Sequence, residues 1–449
     1  MAERSQNEEK NAEGRNGNIV HGSTSVPLYS KSSELPVGAA SEDDDFDRLA
    51  QRFGRGSENT YYKKVSKRYR NAKLLLSVLL VVFVVFAIIL GSESLTYANL
   101  QYMLRNFSES SSSDDERSLW IRIETAGEHE IAAYNNRIVT ADESGIAFYR
   151  VSGKKIYSDS VSFGSPELAV GGKYCILWSC GSGSYAVFNT VSLIKNETLD
   201  HPIYDVATSD SGNYAILTKS AEYSSSVRLY NSDFNLTAVF NKSDAYISDL
   251  ALSLDGTLLA SAAFYAENGI YNTVIELFDS VSGEKKFSQK LSDAFPVKCG
   301  FFEDGSLYLV TNKSLQAFSL SGEQLFSSDF NGTPVISDSF GNVFAVLVSD
   351  ESGKGEYVLL AMSSKGDKLL DISAGKGISD ICLCDGAVVL LGSDIRRISF
   401  EDGGTLSAVK DPGAGELLLC GEAVYCVYGD SVRLVFNSDE PYAVTNDQN

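Results

Sequence analysis

Chemistry at imidazole is poorly provided for, because the 449 residues include three histidines, His21, His129 and His201. His129 and His201 fall near the starts of repeating units, where a turn or a structural hydrogen bond explains a histidine better than a metal or a proton transfer. Seven cysteines follow: Cys175, Cys180, Cys299, Cys382, Cys384, Cys420 and Cys426. An oxidising exterior would permit disulfides, and Cys384 and Cys420 hold similar places before their turns, so a bridge between neighbouring repeats is one reading. The other, which the odd count favours, is that these are small apolar core residues. Cys382 and Cys384 lack the second pair or nearby histidine of a zinc site. Carboxylates are abundant, and paired acids could cleave glycosides or hold calcium if they met across a fold. Yet Asp210, Asp255, Asp304, Asp338 and Asp385 recur beside glycines, where aspartate stabilises turns by local hydrogen bonding. They are predicted to be structural. The chain has no Gly-rich phosphate loop, nucleophile-elbow serine, His-Glu-x-x-His helix or haem-attaching Cys-x-x-Cys-His run. The sequence assigns no catalytic, cofactor-binding or metal residue, and the balance is against an enzyme.

What would carry such residues is legible in the periodicity. From Ser118 onward short β-rich runs alternate with Gly, Asp, Asn and Ser turns, the pattern of an all-β fold. A turn-like position before a strongly apolar strand recurs at Asn136, Gly172, Gly212, Gly256, Gly305, Gly341, Gly386 and Gly421. The spacings run from 35 to 49 residues, the size of one four-stranded propeller blade. A second marker of strand, tight turn and strand follows in AFYRVSGKKIYS, IELFDSVSGEKKFSQ, LQAFSLSGEQLFSS and VLLAMSSKGDKLLD. There Gly153, Gly283, Gly322 and Gly366 supply the positive φ that such turns need. The last unit stops after three strands, Glu416–Leu419, Ala423–Tyr428 and Ser431–Phe436, while Leu119–Glu124 is a lone strand ahead of the first unit. Pairing the two ends would complete a blade and remove the exposed edges. The expected fold is an all-β propeller over 118–438 with eight blades; seven is the alternative, because the unit around Gly256 is long.

Net charge is −21, from 38 Lys+Arg and 59 Asp+Glu. Residues 1–73 hold 13 of the basic and 11 of the acidic residues, which leaves 25 against 48 beyond them. That acidic part repels phosphate backbones and argues against nucleic acid as a partner. Between the two parts Leu74–Leu90 reads LLLSVLLVVFVVFAIIL, with Ser77 its one polar residue. As a helix it measures about 26 Å at ~1.5 Å per residue, and Ala72 and Gly91 extend it toward a hydrocarbon core of about 30 Å. It is expected to span a lipid bilayer once. Lys63, Lys64, Lys67, Arg68, Arg70 and Lys73 crowd its N-terminal side, which would keep the amino terminus in the cytoplasm and put the propeller outside. The expected order is a disordered cytoplasmic tail (1–60), a basic juxtamembrane segment (61–73), a transmembrane helix (74–91), a juxtamembrane helix with a Ser-rich linker (92–117), the propeller (118–438) and a C-terminal tail (439–449). Phe46, Leu49 and Phe53 in the tail have the spacing of a short docking helix, although a chance cluster is the simpler reading.

The strand-turn-Gly-Lys/Glu-strand copies between Leu119 and Phe436 resemble the repeats of quinoprotein-like and WD40-like propellers. They depart from both patterns. The Gly-His and Trp-Asp pairs of WD40 repeats are missing, and Trp120 and Trp178 are the only tryptophans. With the apolar run and the segment LTYANLQYMLRNF included, the whole chain resembles an uncharacterised family of bacterial single-pass membrane proteins carrying an extracytoplasmic propeller. That resemblance implies topology and no activity. The expected function is a non-catalytic binding or scaffold module, without a cofactor, for a protein or cell-envelope polymer. The alternatives are a transmembrane signalling receptor working through its tail, and a propeller hydrolase or quinone-type oxidoreductase.

Overall fold

The computed structural model describes residues 60–89, 117–125, 127, 129–350, 355–410 and 413–437. His21, the tail cluster Phe46, Leu49 and Phe53, the segment 92–116 and the tail 439–449 lie outside the described residues. Beyond the helix, the described strands form eight antiparallel sheets of four strands each. The expectation of eight blades therefore holds over that of seven. Blades 1 to 7 run consecutively and begin at His129, Pro166, Ile203, Tyr246, Pro296, Gly332 and Asp380.

Blade 8 is composite. Its strands Glu416–Cys420, Ala423–Tyr428 and Ser431–Phe436 are completed by Trp120–Arg122 from the other end of the propeller. That strand is shorter than the expected Leu119–Glu124, but the register is regular: Trp120 faces Arg433, Ile121 faces Val432 and Arg122 faces Ser431. The Ile123 N–H donates to the Asp430 carbonyl at 2.9 Å and the Leu434 N–H to the Leu119 carbonyl at 3.0 Å. Ile121 is fully buried in a cluster with Tyr425, Val432 and Leu434, and the Arg433 guanidinium lies 5.2 Å from the centre of the Trp120 ring. Closure completes the eighth sheet, so that neither end of the described propeller is left as an unpaired strand.

The sequence pattern follows from where each strand stands. First strands touch first strands from blade 1 to blade 5 and again from blade 6 through blade 8 to blade 1, so they surround the axis. Second strands are sandwiched between neighbouring sheets and are apolar on both faces; Cys175–Ser179, Tyr214–Thr218, Leu307–Thr311 and Ala387–Leu391 are buried at every position. Outer strands such as Leu236–Lys242 and Lys285–Leu291 carry exposed positions along their length. The turn glycines 153, 283, 322 and 366 take φ between 72° and 87°, as their role requires. Gly172 departs from the other marker glycines, since its φ is not positive. A Cβ there would come within 3.0 Å of Asp210 in the next blade, so glycine is needed for close approach of the two turns. The long unit around Gly256 hides no extra blade. Leu258–Glu267 and Ile270–Asp279 run ten residues each to an Asn268–Gly269 turn with φ of 52° and 82°, a two-residue hairpin that prolongs blade 4 at one end.

Residues Thr60–Ile89 form a single helix of 30 residues, uninterrupted by proline or glycine. Its described side chains, residues 67–83, are all exposed, from Lys67, Arg68, Arg70 and Lys73 to Leu74 and the apolar residues after it. The side chains of Lys63, Lys64 and residues 84–90, Leu90 included, lie outside the described residues. Among the described residues no helix is long and apolar enough to cross a membrane.

Candidate functional site

The first strand of every blade brings one carboxylate or, in blade 5, one lysine to the axis. They are Glu130, Glu167, Asp205, Asp249, Lys298, Asp338, Asp380 and Glu416, in blade order from 1 to 8. Each feels the charge of the next, from Glu130 and Glu167 through Asp249, Lys298 and Asp338 to Asp380, Glu416 and back to Glu130, so the set closes into a ring. Seven carboxylates thus surround the channel with a single lysine among them.

Four of the acids also hold the wheel together. Asp205 accepts the Val206 N–H at 2.8 Å on one oxygen and the Leu250 N–H of blade 4 at 3.0 Å on the other. Asp249 accepts the Cys299 N–H of blade 5 at 2.6 Å. Asp338 accepts the N–H groups of Ser339 at 2.8 Å and Leu383 of blade 7 at 2.7 Å, and Asp380 those of Ile381 at 2.8 Å and Leu417 of blade 8 at 2.7 Å. The inner edge of a first strand has no further strand to pair with, so its N–H groups need other acceptors. A carboxylate supplies a strong one. This corrects the reading of Asp338 as a turn residue: it sits inside the strand Gly332–Phe340, opposite Ala345. Asp255 and Asp304 do act in turns. Asp255 accepts from the Ser253 hydroxyl at 2.6 Å and the Thr257 N–H at 3.0 Å, while Asp304 accepts the Ser306 N–H at 2.9 Å and the Ser364 hydroxyl of the next blade at 2.6 Å. Asp210 and Asp385 lie in turns as well.

Asp205, Asp249, Asp338 and Asp380 are only partly open to solvent, and that burial disfavours their charged forms. Burial first, then the neighbouring Asp249, pushes Asp205 up to about 7 against the pull of its two N–H donors. Burial, then Asp380 and Glu130, pushes Glu416 up to about 7. Glu130, Asp249, Asp338 and Asp380 are raised for the same leading reason. His129 stands close enough to Glu130 and Glu416 to favour their ionised forms slightly, whereas His201 stays in the connector before blade 3. No disulfide joins any of the seven cysteines; six are buried and Cys180 is exposed. Among the described residues no group of three His, Cys, Asp or Glu side chains could hold a metal ion.

The rim away from the glycine turns is built differently around its circumference. In blades 3 to 6 the first strand carries a bulge, at Tyr204, Ser248, Val297 and Val335, whereas the first strands of blades 7, 8, 1 and 2 pair without a shift. A bulge inserts an unpaired residue and re-aims its side chain; all four are exposed. On the same half the extended hairpin of blade 4 lifts an aromatic cluster. Phe264 lies 5.8 Å from Tyr246 and 4.7 Å from Phe295, whose ring meets Tyr271 at 5.7 Å. Neither ring of acids nor bulges was identified from sequence, although Asp205, Asp249 and Lys298 each stand seven residues before a marker glycine, a repeat that could have betrayed the channel.

No curated protein matches the chain. Among solved structures, the crystal structure of BamB from Moraxella catarrhalis is similar over 71% of this chain and 98% of its own, at 14% identity and a TM-score of 0.49. A family model described as a family of unknown function (DUF5711) matches residues 113–405, most of the propeller, and the chain belongs to that family.

Proposed function

We propose that this protein is a single-pass, membrane-anchored propeller displayed outside the cytoplasm, which binds a protein or cell-envelope polymer without performing chemistry on it. The observation that carries the binding reading is the use made of the channel acids. Asp205, Asp249, Asp338 and Asp380 commit their oxygens to backbone N–H groups of neighbouring blades, which leaves the rim as the surface open to a ligand. An acid-lined channel also disfavours nucleic acid.

Anchoring is supported by the helix. Nine large apolar side chains between Leu74 and Phe83 are exposed on it, a surface that water does not tolerate and lipid does. The apolar run continues in sequence to Leu90, which brings it to about bilayer length. Protease shaving of whole cells tests the topology: loss of the propeller with the tail protected is expected, and the reverse pattern refutes it. Crosslinking on living cells followed by mass spectrometry tests the binding function. A partner or polymer joined to the propeller is expected; recovery of none, with no binding to isolated envelope polymers, overturns it.

One observation favours the hydrolase alternative. Glu416 is raised to about 7 beside two further acids, a value suited to a general acid. Turnover of envelope polysaccharides by the full chain that disappears in Glu416→Gln would establish that alternative in place of binding alone.

A further inference from the structure

Resting on the binding reading above, we propose that the bulged half of the rim docks a polypeptide segment in which basic side chains are interspersed with aromatic or apolar ones. The apolar part of the match comes from exposed side chains. Tyr204, Tyr246, Ile270, Tyr271, Val297 and Val335 are each between 46% and 55% exposed, on blades 3 to 6 and in the starting half of the first strands or at the tip of the blade 4 hairpin. The half-buried rings of Phe264 and Phe295 support Tyr246 and Tyr271 from beneath, so the exposed tyrosines are held in place before anything binds. A rigid aromatic platform loses little side-chain entropy on docking.

Charge selects the occupant. Inside this rim Asp205, Asp249 and Asp338 stand against Lys298, and Glu130, Glu167, Asp380 and Glu416 complete the ring across the channel, so an acidic segment is repelled and a lysine or arginine is drawn inward. The rim rings already accept cations from the protein itself: the Lys219 ammonium lies 5.8 Å from the centre of the Tyr246 ring and the Lys290 ammonium 5.6 Å from that of Tyr265. An incoming basic side chain competes with these two lysines for the ring faces. The segment thus lays its apolar residues on Tyr204, Tyr246, Tyr271 and Val297 and turns a basic side chain toward the acids.

The test uses the full chain and three fluorescent peptides of equal length, alternating lysine with tyrosine, glutamate with tyrosine, and lysine with serine. Binding is read by anisotropy at low and high salt. The lysine–tyrosine peptide is expected to bind in a salt-sensitive manner and the other two at least about tenfold more weakly. Paired Tyr246→Ser and Tyr271→Ser substitutions should cost about tenfold or more. Glu130→Gln with Glu416→Gln should cost about threefold and flatten the salt dependence. Val281→Ser, in a glycine turn at the other end of blade 4, should change nothing. Thermal melting checks that each variant folds, and Val297→Ser replaces the tyrosine pair if that pair does not. Equal binding of the glutamate peptide, or unaltered binding by the folded rim variants, overturns the proposal. A cellular crosslink mapped to the glycine-turn face would also overturn it while leaving the binding function intact, whereas the absence of any partner would remove the function first.

Discussion

Blades 7, 8, 1 and 2 and blades 3 to 6 are built on one repeat, yet they resolve the inner edge in two ways. In the former the first strands pair without interruption, and the wheel is closed there by Trp120–Arg122. In the latter each first strand gives up a residue of its ladder to a bulge and exposes it at the rim. A broken ladder costs hydrogen bonding and gains a re-aimed side chain. The difference teaches that one half of the ring carries the closing seam, while the other turns four extra side chains out at the rim.

The comparison predicts unequal consequences for equal insults. The largest belongs to closure: Ile121→Asp buries a charge in the seam of blade 8, and a loss on the order of 4 kcal/mol is expected in denaturant unfolding. Survival of the wild-type midpoint would show that closure carries little of the stability. Next comes Asp380→Ala, which leaves the Leu417 N–H without its acceptor and should cost about 1–3 kcal/mol by the same measurement. Truncating the bulged half should do far less: Tyr271→Ser is expected to shift stability by roughly 0.5 kcal/mol while reducing peptide binding. A larger drop would make the hairpin a structural element and blur the distinction between halves.

A further effect is one of pH. Glu416 ordinarily titrates near 4.5 and is raised to about 7 in the fold, so the folded state holds its proton more tightly than the unfolded chain does. Its contribution to stability is fully present below 4.5 and is lost as pH rises through about 7. Asp205, raised from 3.8 to about 7, acts in the same direction in the other half. The melting temperature of the propeller should therefore fall between pH 5 and pH 8, and Glu416→Gln should make that fall shallower. An identical slope in the variant would mean that the acids of the closing half do not govern it.

The blade period and the hairpin glycines were legible because each is local: a turn needs its glycine, and a strand needs its apolar run, within a dozen residues. The composite last blade was legible only by counting, since a unit one strand short at one end matches a lone strand at the other. Asp338 shows where that legibility ends. Three residues before Gly341 it reads as a turn aspartate, and only its pairing with Ala345 puts it in a strand and turns it to the axis. The aromatic cluster was equally hidden, since Tyr246 and Phe295 belong to stretches separated by 49 residues and meet through Phe264.

The sequence by itself determined that this chain forms a series of four-stranded blades, because side-chain alternation and turn chemistry act between near neighbours. It also carried the apolar run on which the proposed anchor rests. Only the tertiary structure decided that seven acids and a lysine share one channel and that half of the rim is bulged. Those side chains come from eight different blades, and register and ring closure, which no local pattern encodes, bring them to a common axis.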